Sequence, residues 1–321
     1  MILKILFPLI ALVFTLSVSA QTKAKKSPLD VEEVDIKPSE TSAKKATDKA
    51  DELITNRLLR ASSGSLSKWS ANISYNYNGG SVQKPLAAQR PNIVSGADAL
   101  TLQYMNANAG IRYRINDLNS ITFAAGVFWN TPFNNSIKTK DAALKEEFRK
   151  TKGDITVNDP NLIYTNLSSP WGWQVQNQFT PTLITNAQQT QSGYRASFDF
   201  ASTWMKVINK SNLSLGGTLE WTGYAFSKTN RDLATNVWQV YPVIEYIIND
   251  WLNLRTLWGW QVYQQTRRDD TWTYDKRTVY QSFGTGISVS RDVFIYPNIQ
   301  FIPSDIRSDR TNIGLSAYIN I

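Results

Sequence analysis

Seven charged residues give this sequence its clearest potential for chemistry, because each falls at a polar position of a segment in which polar and apolar residues alternate. They are Arg112, Arg114, Arg195, Asp199, Glu220, Glu245 and Arg255. Guanidinium and carboxylate groups that face one lumen select permeating ions by charge. We therefore predict that these residues line a pore and determine its selectivity. The alternative is a polar network that fills a narrow barrel.

Hairpin geometry predicts what lies opposite four of these residues. With a turn centred on Asp250, Glu245 and Arg255 lie opposite each other on one face, which predicts an ion pair. Arg112 and Arg114 lie two residues apart on one strand, and the strand opposite offers them no carboxylate. We therefore expect these two arginines to remain available to water or to an anion.

The segments that position these residues have a period of two, which is the period of a β-strand with one apolar face. Many of them reach about ten residues, the length that a tilted strand needs to cross a bilayer. Twelve strands are predicted, over residues 66–78, 101–116, 120–130, 161–167, 172–185, 191–208, 212–226, 235–248, 252–266, 277–290, 293–303 and 310–321.

The connections between these strands differ in length. Short ones lie at 116–119, 168–171, 209–211, 249–251 and 291–292, and longer ones at 79–100, 131–160 and 267–276. Short turns at one end and long loops at the other are typical of an outer-membrane barrel, and an even strand number places both termini in the periplasm. Outward tryptophans and tyrosines fall near the strand ends, as two membrane interfaces require. A soluble β-sandwich, the alternative fold, has no reason to sort them in this way.

The N-terminal residues predict export. Lys4 precedes an apolar run from Ile5 to Val18, and small residues follow, so residues 1–20 are predicted to be a signal peptide that is cleaved after Ala20. The chain has 34 basic and 26 acidic residues, a balance that could suggest a nucleic-acid partner. Export argues against that partner.

Residues 21–64 differ from the rest of the chain, because they are rich in charges of both signs and contain no aromatic residue. Prolines in the first half predict a periplasmic tether. Residues 42–60 carry a thin apolar stripe that predicts a short helix, so the alternative is a helix that docks on a partner or on the barrel mouth. The predicted organisation is therefore a signal peptide, a charged tether over 21–64 and a barrel over 65–321.

Residues 66–321 resemble the bacterial outer-membrane β-barrel superfamily, in their porin-like strand arrangement and in the alternating C-terminal strand from Thr311 to Ile321. Members usually end that strand on phenylalanine or tryptophan, whereas this sequence has Ile321. The resemblance implies an all-β, transmembrane, antiparallel up-and-down barrel in the bacterial outer membrane. It also implies membrane lipid, lipopolysaccharide, the barrel-insertion machinery and small solutes as partners, and it leaves the oligomeric state open.

Some outer-membrane barrels are enzymes, but this sequence argues against catalysis. It contains no histidine and no cysteine. The histidine-dependent sites of the phospholipase A, omptin and lipid A acyl-modifying barrels therefore cannot form. No inward lysine accompanies a serine, and Glu220 and Glu245 fall at different heights, which disfavours a Ser–Lys or a paired-carboxylate mechanism. We expect no catalytic residue, no metal and no cofactor.

The loop over residues 131–160 contains one further candidate site. Its middle part predicts a short amphipathic helix with Ala143, Leu144 and Phe148 on one side. Leu144, Phe148 and Arg149 are therefore candidates for a constriction that narrows the pore mouth, or for a surface that binds anions. The alternative is a solvated charged loop.

Together, these expectations give one hypothesis. The chain is predicted to be a porin-like channel for passive diffusion of small hydrophilic solutes, with anions favoured by the arginines. The alternative is a closed barrel with a structural or interaction role, which acts through its outer loops or through residues 21–64. A continuous water path would favour the channel, and a filled lumen would favour the closed barrel.

Overall fold

A computed structural model describes residues 48–321 apart from 134–135, 209–210, 228–233 and 267–271. The predicted signal peptide and residues 21–47 of the predicted tether lie outside the described residues. Within the described part of the chain, no helix is both long enough and apolar enough to cross a membrane.

Twelve antiparallel strands of the described chain form a closed up-and-down barrel. They are β1 (Trp69–Ser81), β2 (Tyr104–Arg114), β3 (Asn119–Asn130), β4 (Ile155–Ser168), β5 (Gln174–Leu183), β6 (Tyr194–Val207), β7 (Leu213–Phe226), β8 (Ala234–Ile247), β9 (Leu252–Thr266), β10 (Tyr280–Ser288), β11 (Val293–Phe301) and β12 (Asn312–Asn320). Each pairs with its neighbours in the chain, and β12 pairs with β1 to close the ring. A short strand, Trp272–Lys276, extends the pairing along β9. The predicted fold class and strand number are confirmed.

The barrel wall is apolar outside and polar inside, as the two-residue period predicts. On neighbouring strands, Ile111 lies opposite Phe123, and these side chains are 63% and 65% exposed. One residue further along, Arg112 lies opposite Thr122, and these are only 6% and 4% exposed. A soluble domain places such residues the other way round. The polar face of the wall therefore lines the lumen, and the apolar face forms the outer surface.

The start of β4 is the main difference from the predicted strands. The strand is predicted over 161–167, directly after the turn-like residues Asn158-Asp159-Pro160. In the structure β4 begins at Ile155 and continues through a bulge, where Asp159 has φ of 52° and the register against β3 shifts. The Asp159 carboxylate accepts the N–H group of Thr185 at 2.8 Å, which fixes the bulge to the next loop. The bulge absorbs the turn-like residues without ending the strand.

Three further prolines of the barrel strands each interrupt the ladder on one side only. Pro181, Pro242 and Pro297 are paired with residues of β6, β7 and β12. On the other side, the paired register against β4, β9 and β10 skips the proline position. Proline has no N–H group to donate, which accounts for the gap. The strand assignment at these prolines was therefore correct.

Two short helices precede the barrel where the sequence predicts one helix over 42–60. They are α1 (Lys49–Leu53) and α2 (Arg57–Ser63). Asp48 caps α1 and Asn56 caps α2, each by accepting a backbone N–H group of the first turn. Between them, the Oε1 atom of Gln174 on β5 accepts the N–H group of Asn56 at 2.6 Å and that of the preceding residue at 2.7 Å. The break in the helix is therefore held by the barrel wall.

The segment 48–63, which we call the N-terminal segment, lies inside the ring of strands. Ile54 and Leu59 are almost fully buried in a cluster with residues of β4, β6 and β8. Ala61 is buried with residues of β11. These strands lie on different sides of the ring, so a segment that contacts all of them crosses the lumen. It does so at the end of the barrel that has the short turns, which we call the turn end; the opposite end is the loop end. Residues 48–63 are therefore docked inside the barrel rather than forming a solvated tether.

Candidate functional site

The lumen contains a cavity of about 350 Å³. Its floor towards the turn end is formed by Leu58, Leu59 and Ser62 of α2. The walls are mostly polar side chains from β5, β6, β7, β8 and β11, and they include Gln178, Thr203, Glu220, Tyr241, Asn298 and Gln300. Alternate residues of these strands point inwards and supply the polar groups, and the N-terminal segment determines where the cavity ends. Such a space suits water and small hydrophilic molecules.

The predicted ion pair between Glu245 and Arg255 is confirmed. The two residues are directly paired across β8 and β9, with the Arg255 Nη1 atom 3.2 Å from Glu245 Oε2, and both are buried. The Nδ2 atom of Asn56 donates to the other Glu245 oxygen at 3.2 Å. The pair is thus neutral overall, and it also holds the start of α2. Arg255 lines the cavity, but its charge is compensated.

The expectation that Arg112 and Arg114 remain free for an anion is wrong for this structure. The Nη2 atom of Arg114 lies 2.6 Å from both carboxylate oxygens of Asp48 and 3.1 Å from Asp117. The Nη1 atom of Arg112 donates to the carbonyl of Ser65 at 2.5 Å. Strand pairing can identify only partners that lie in the wall. The partners of Arg112 and Arg114 come mainly from the N-terminal segment and the residues that follow it.

Gly64 allows the chain to pass Arg112 as it leaves the lumen. It has φ of 92°, a conformation that favours glycine, and a Cβ atom at this position would lie 2.5 Å from the Cδ atom of Arg112. Its carbonyl accepts a hydrogen bond from the Nη1 atom of Arg291 at 2.7 Å. Arg291 also contacts Asp51 of α1, with Nε 2.9 Å from Oδ1. The sequence places Arg291 in a short turn, and no periodic pattern marked it as a lumen residue.

Two acidic residues of the predicted set lie further up the wall. Asp199 accepts hydroxyl groups from Thr222 at 2.6 Å and from Ser197 at 3.1 Å. Glu220 lines the cavity and accepts from Gln239 Nε2 at 3.3 Å. Among the ion pairs of the described residues, none involves Asp199 or Glu220. Of the predicted arginines, Arg255 lines the cavity and is paired with Glu245, whereas Arg112, Arg114 and Arg195 are not among its lining residues.

Arg195 does not join the other predicted lumen charges. It is exposed next to the first residue of β6, where the register against β7 shifts between Tyr194 and Ala196. The irregularity adds a residue at the strand end, so counting alternate positions from the middle of β6 no longer gives the facing of Arg195. The predicted set therefore divides into a turn-end group, two acids in the wall and one exposed arginine at the loop end.

Arg90 is a lumen residue that the sequence did not reveal. It lies on a two-stranded ribbon formed by Gln89–Pro91 and Leu100–Leu102 within the long loop after β1. Its side chain is buried, with Nη2 3.4 Å from Gln300 Oε1 and the guanidinium 5.9 Å from the centre of the Tyr104 ring. The unusual length and apolar content of this loop were the available signals.

The predicted constriction loop forms a helix, α3 (Ala142–Thr151). Leu144 and Phe148 are buried, in a cluster with Ala88 and Leu102 of the ribbon loop. Ala143 is exposed rather than on the buried side. Arg149 is exposed and pairs with Glu146 on the same helix at 2.8 Å. The hydrogen bonds from Arg149 and Lys150 lower the pKa of Glu146 to about 2. The helix therefore supports the ribbon, and its role in narrowing a pore remains a prediction.

Phe148→Ala should loosen the ribbon without unfolding the barrel. Removing a buried phenylalanine typically costs about 3–5 kcal/mol, and here that cost falls on a small cluster outside the strand ring. Hydrogen exchange measured by mass spectrometry should show faster exchange in peptides covering 89–102. Lys145→Ala, an exposed change on the same helix, is the control. Unchanged exchange in the Phe148 variant would show that the cluster does not hold the ribbon.

Asp48 makes the stability of the N-terminal segment's contact with the wall depend on pH. Burial raises its pKa, but the hydrogen bonds from Arg114 and the Ala50 N–H group and the nearby positive charges outweigh burial, so the pKa is lowered. A lowered pKa means that the stabilisation is complete above the ordinary aspartate value of about 3.9 and is lost as the pH falls through the lowered value.

We therefore expect the thermal midpoint of the detergent-solubilised protein to fall as the pH drops below about 4. Asp48→Asn should flatten part of this profile, because the amide does not titrate. Glu52→Gln, on the exposed side of α1, should leave the profile as it is. Identical profiles for the Asp48 variant and the unmodified chain would contradict this assignment.

Comparison with known proteins gives similarities in fold. No protein-family profile matches the chain, and no curated protein sequence matches it. The NanC porin is 11% identical with a TM-score of 0.41, covering 78% of this chain and 97% of its own. The COG4313 outer membrane channel from Pseudomonas putida F1 is 10% identical with a TM-score of 0.47, covering 80% and 96%. OmpT of Vibrio cholerae, with loop L8 deleted, is 8% identical with a TM-score of 0.35, covering 79% and 98%. Similarities at this level assign neither a family nor a solute.

Proposed function

We propose that this chain is an outer-membrane channel through which small hydrophilic solutes diffuse passively. The observation that carries the proposal is the polarity of the closed barrel. Its outer surface exposes large apolar side chains, and its lumen holds a cavity of about 350 Å³ lined largely by polar groups. A lipid bilayer stabilises such an outer surface, and a hydrated path needs such an interior.

The ends of the barrel support a membrane location. Trp69 and Tyr246 are exposed on strand residues close to the turn end, and Trp238 is exposed towards the loop end. Tryptophan and tyrosine are favoured at the two membrane interfaces. The turn end would face the periplasm, because the exported N-terminal segment lies there.

The cavity volume supports small solutes. A cavity of about 350 Å³ accommodates several water molecules or one small solute. A molecule of that size can be held by the amide and hydroxyl groups of the wall. A preference for anions would depend on Arg112 and Arg114, whose partners come from the N-terminal segment and the adjoining chain.

Single-channel recording tests the proposal. Mature protein, residues 21–321, would be refolded and inserted in planar bilayers, with a salt gradient to measure selectivity. We expect discrete conductance steps. Heat-modifiable, correctly folded protein that gives no steps, both as residues 21–321 and after removal of the N-terminal segment, would contradict the channel.

A closed barrel with an interaction role is the second candidate. The observation in its favour is the N-terminal segment, which fills the lumen at the turn end and buries Ile54 and Leu59 there. The same recording separates the two candidates. A barrel that stays silent even after this segment has been removed would support the interaction role.

A further inference from the structure

Three arginines converge where the N-terminal segment meets the turn end of the wall. Arg112 and Arg114 project from β2, and Arg291 comes from the turn between β10 and β11. Gly64 lies between Arg112 and Arg291: its carbonyl accepts a hydrogen bond from Arg291 Nη1 at 2.7 Å, and a Cβ atom on it would lie 2.5 Å from Arg112 Cδ. Three like charges repel one another unless anionic groups lie among them. We call these residues the arginine cluster.

Two carboxylates of the N-terminal segment compensate this cluster. Asp48 contacts Arg114 with both oxygens at 2.6 Å. Asp51 contacts Arg291 Nε with its two oxygens at 2.9 and 3.1 Å. In each contact one guanidinium nitrogen lies within hydrogen-bond distance of both carboxylate oxygens, a charge-assisted arrangement that a carboxylate ligand can also adopt. The segment thus presents two carboxylates to the cluster, as a small dicarboxylate would.

The wall itself supplies less negative charge. Asp117 lies 3.1 Å from Arg114, and Asp292 lies 2.5 Å from Arg291. With the segment in place, four carboxylates therefore surround three guanidinium groups. If Asp48 and Asp51 leave, the arginines outnumber the carboxylates that remain.

Arg112 has binding capacity that the segment does not use. Its side chain is 6% exposed, and its only described hydrogen bond is that of Nη1 to the carbonyl of Ser65. Its Nε atom is buried and has no hydrogen-bond partner among the described residues. An unpaired donor on a buried guanidinium is costly. A ligand oxygen at this position would satisfy it.

We propose that the arginine cluster is a binding site for a small anion with two oxyanion groups, such as a dicarboxylate, and that Asp48 and Asp51 occupy this site when the solute is absent. Binding of the anion displaces the segment and opens the turn end. The inference deepens the proposed function, since a channel would deliver such a solute to the cluster. It names the solute class and the means by which the solute controls its own path.

Competition of this kind is feasible because the segment is part of the same chain. A tethered group competes at an effective concentration that is typically in the ~mM range. A solute at a comparable concentration can therefore compete with the segment. The segment therefore closes the path at low solute concentration and yields as the concentration rises.

Cysteine labelling tests the site without requiring conduction. The chain contains no cysteine, so Ala50→Cys introduces one reporter at a buried position of α1. The full mature chain in detergent would be treated with a maleimide reagent, with succinate as the probe and potassium chloride at equal ionic strength as the reference. Ser62→Cys on α2 provides a second reporter if the first disturbs folding, and heat-modifiability checks the barrel.

We expect slow labelling in chloride and faster, saturable labelling in succinate. In the Asp48→Asn, Asp51→Asn background, labelling should be at least about tenfold faster without succinate, which corresponds to about 1.4 kcal/mol, and it should no longer respond to succinate. Glu52→Gln removes one negative charge from the exposed side of the same helix and should behave as the unmodified chain.

Two results would overturn the inference. Fast labelling of the double variant with no succinate effect in the parent would mean that the arginines hold the segment but bind no solute. Slow labelling of the double variant would mean that the apolar contacts alone hold the segment. A succinate effect in a protein that never conducts would support the site and reject the channel, so the two proposals fail separately.

Discussion

Deletion of residues 21–63 should raise the single-channel conductance several-fold and shift the reversal potential towards anion selectivity. The N-terminal segment fills the lumen at the turn end, where Ile54 and Leu59 are almost fully buried. Its removal also takes away Asp48 and Asp51, which leaves Arg112, Arg114 and Arg291 facing the path. Positive charges at a constriction raise the local concentration of anions.

A shorter deletion is the matched control for this experiment. Removing only residues 21–47 shortens the chain but keeps the segment that contacts the wall. We expect this variant to conduct like the chain over residues 21–321. Equal conductance in the two deletions would mean that residues 48–63 do not limit the current, and the role of the segment as an obstruction would be wrong.

Glu245→Leu should lower the free energy of unfolding by about 3–5 kcal/mol, the usual cost of removing one partner of a buried ion pair. The change leaves Arg255 with an uncompensated buried charge, and it removes the hydrogen bond that Asn56 donates to Glu245. Denaturant unfolding of the protein, refolded in detergent or lipid vesicles, would measure the loss.

The double variant Glu245→Leu, Arg255→Leu separates the lost charge pair from lost packing. Replacing both partners by apolar residues removes the unpaired charge, so much of the stability should return. Glu146→Leu, at an exposed ion pair with Arg149, should produce no measurable change. Similar losses in the single and double variants would show that packing, rather than the isolated Arg255 charge, determines the cost.

The wall of the barrel could be predicted from the sequence because its rules are local. A period of two determines which residues face inwards, and a short turn determines which residues are paired. Both conditions hold at Asp250, so the pairing of Glu245 with Arg255 followed directly. The period breaks down where a bulge adds a residue. The bulge at Asp159 lets β4 begin at Ile155, before the predicted start, and the register shift at Tyr194 means that alternation no longer determines the facing of Arg195.

The contents of the lumen could not be predicted in the same way. Asp48 and Ser65 contact Arg114 and Arg112 across 66 and 47 residues of chain, and no periodic pattern connects residues at such separations. Arg90 reaches the lumen because its ribbon packs against α3 and Ile302 lies against the same loop. These are tertiary contacts between irregular segments. The residue types of these segments show which side chains are charged or apolar, but they do not show where in the barrel each segment lies.

The pairing of β1 with β12 has a consequence for how the barrel assembles. Every other junction in the ring joins strands that are neighbours in the chain, so each can form as a local hairpin of low contact order. The seam instead brings together residues as far apart as Asn72 and Asn320, whose side-chain amides are 2.6 Å apart, and it carries the largest loop-closure entropy. The seam should therefore close last. The N-terminal segment is joined directly to β1, so it can be laid against the open sheet before closure and need not enter a finished ring.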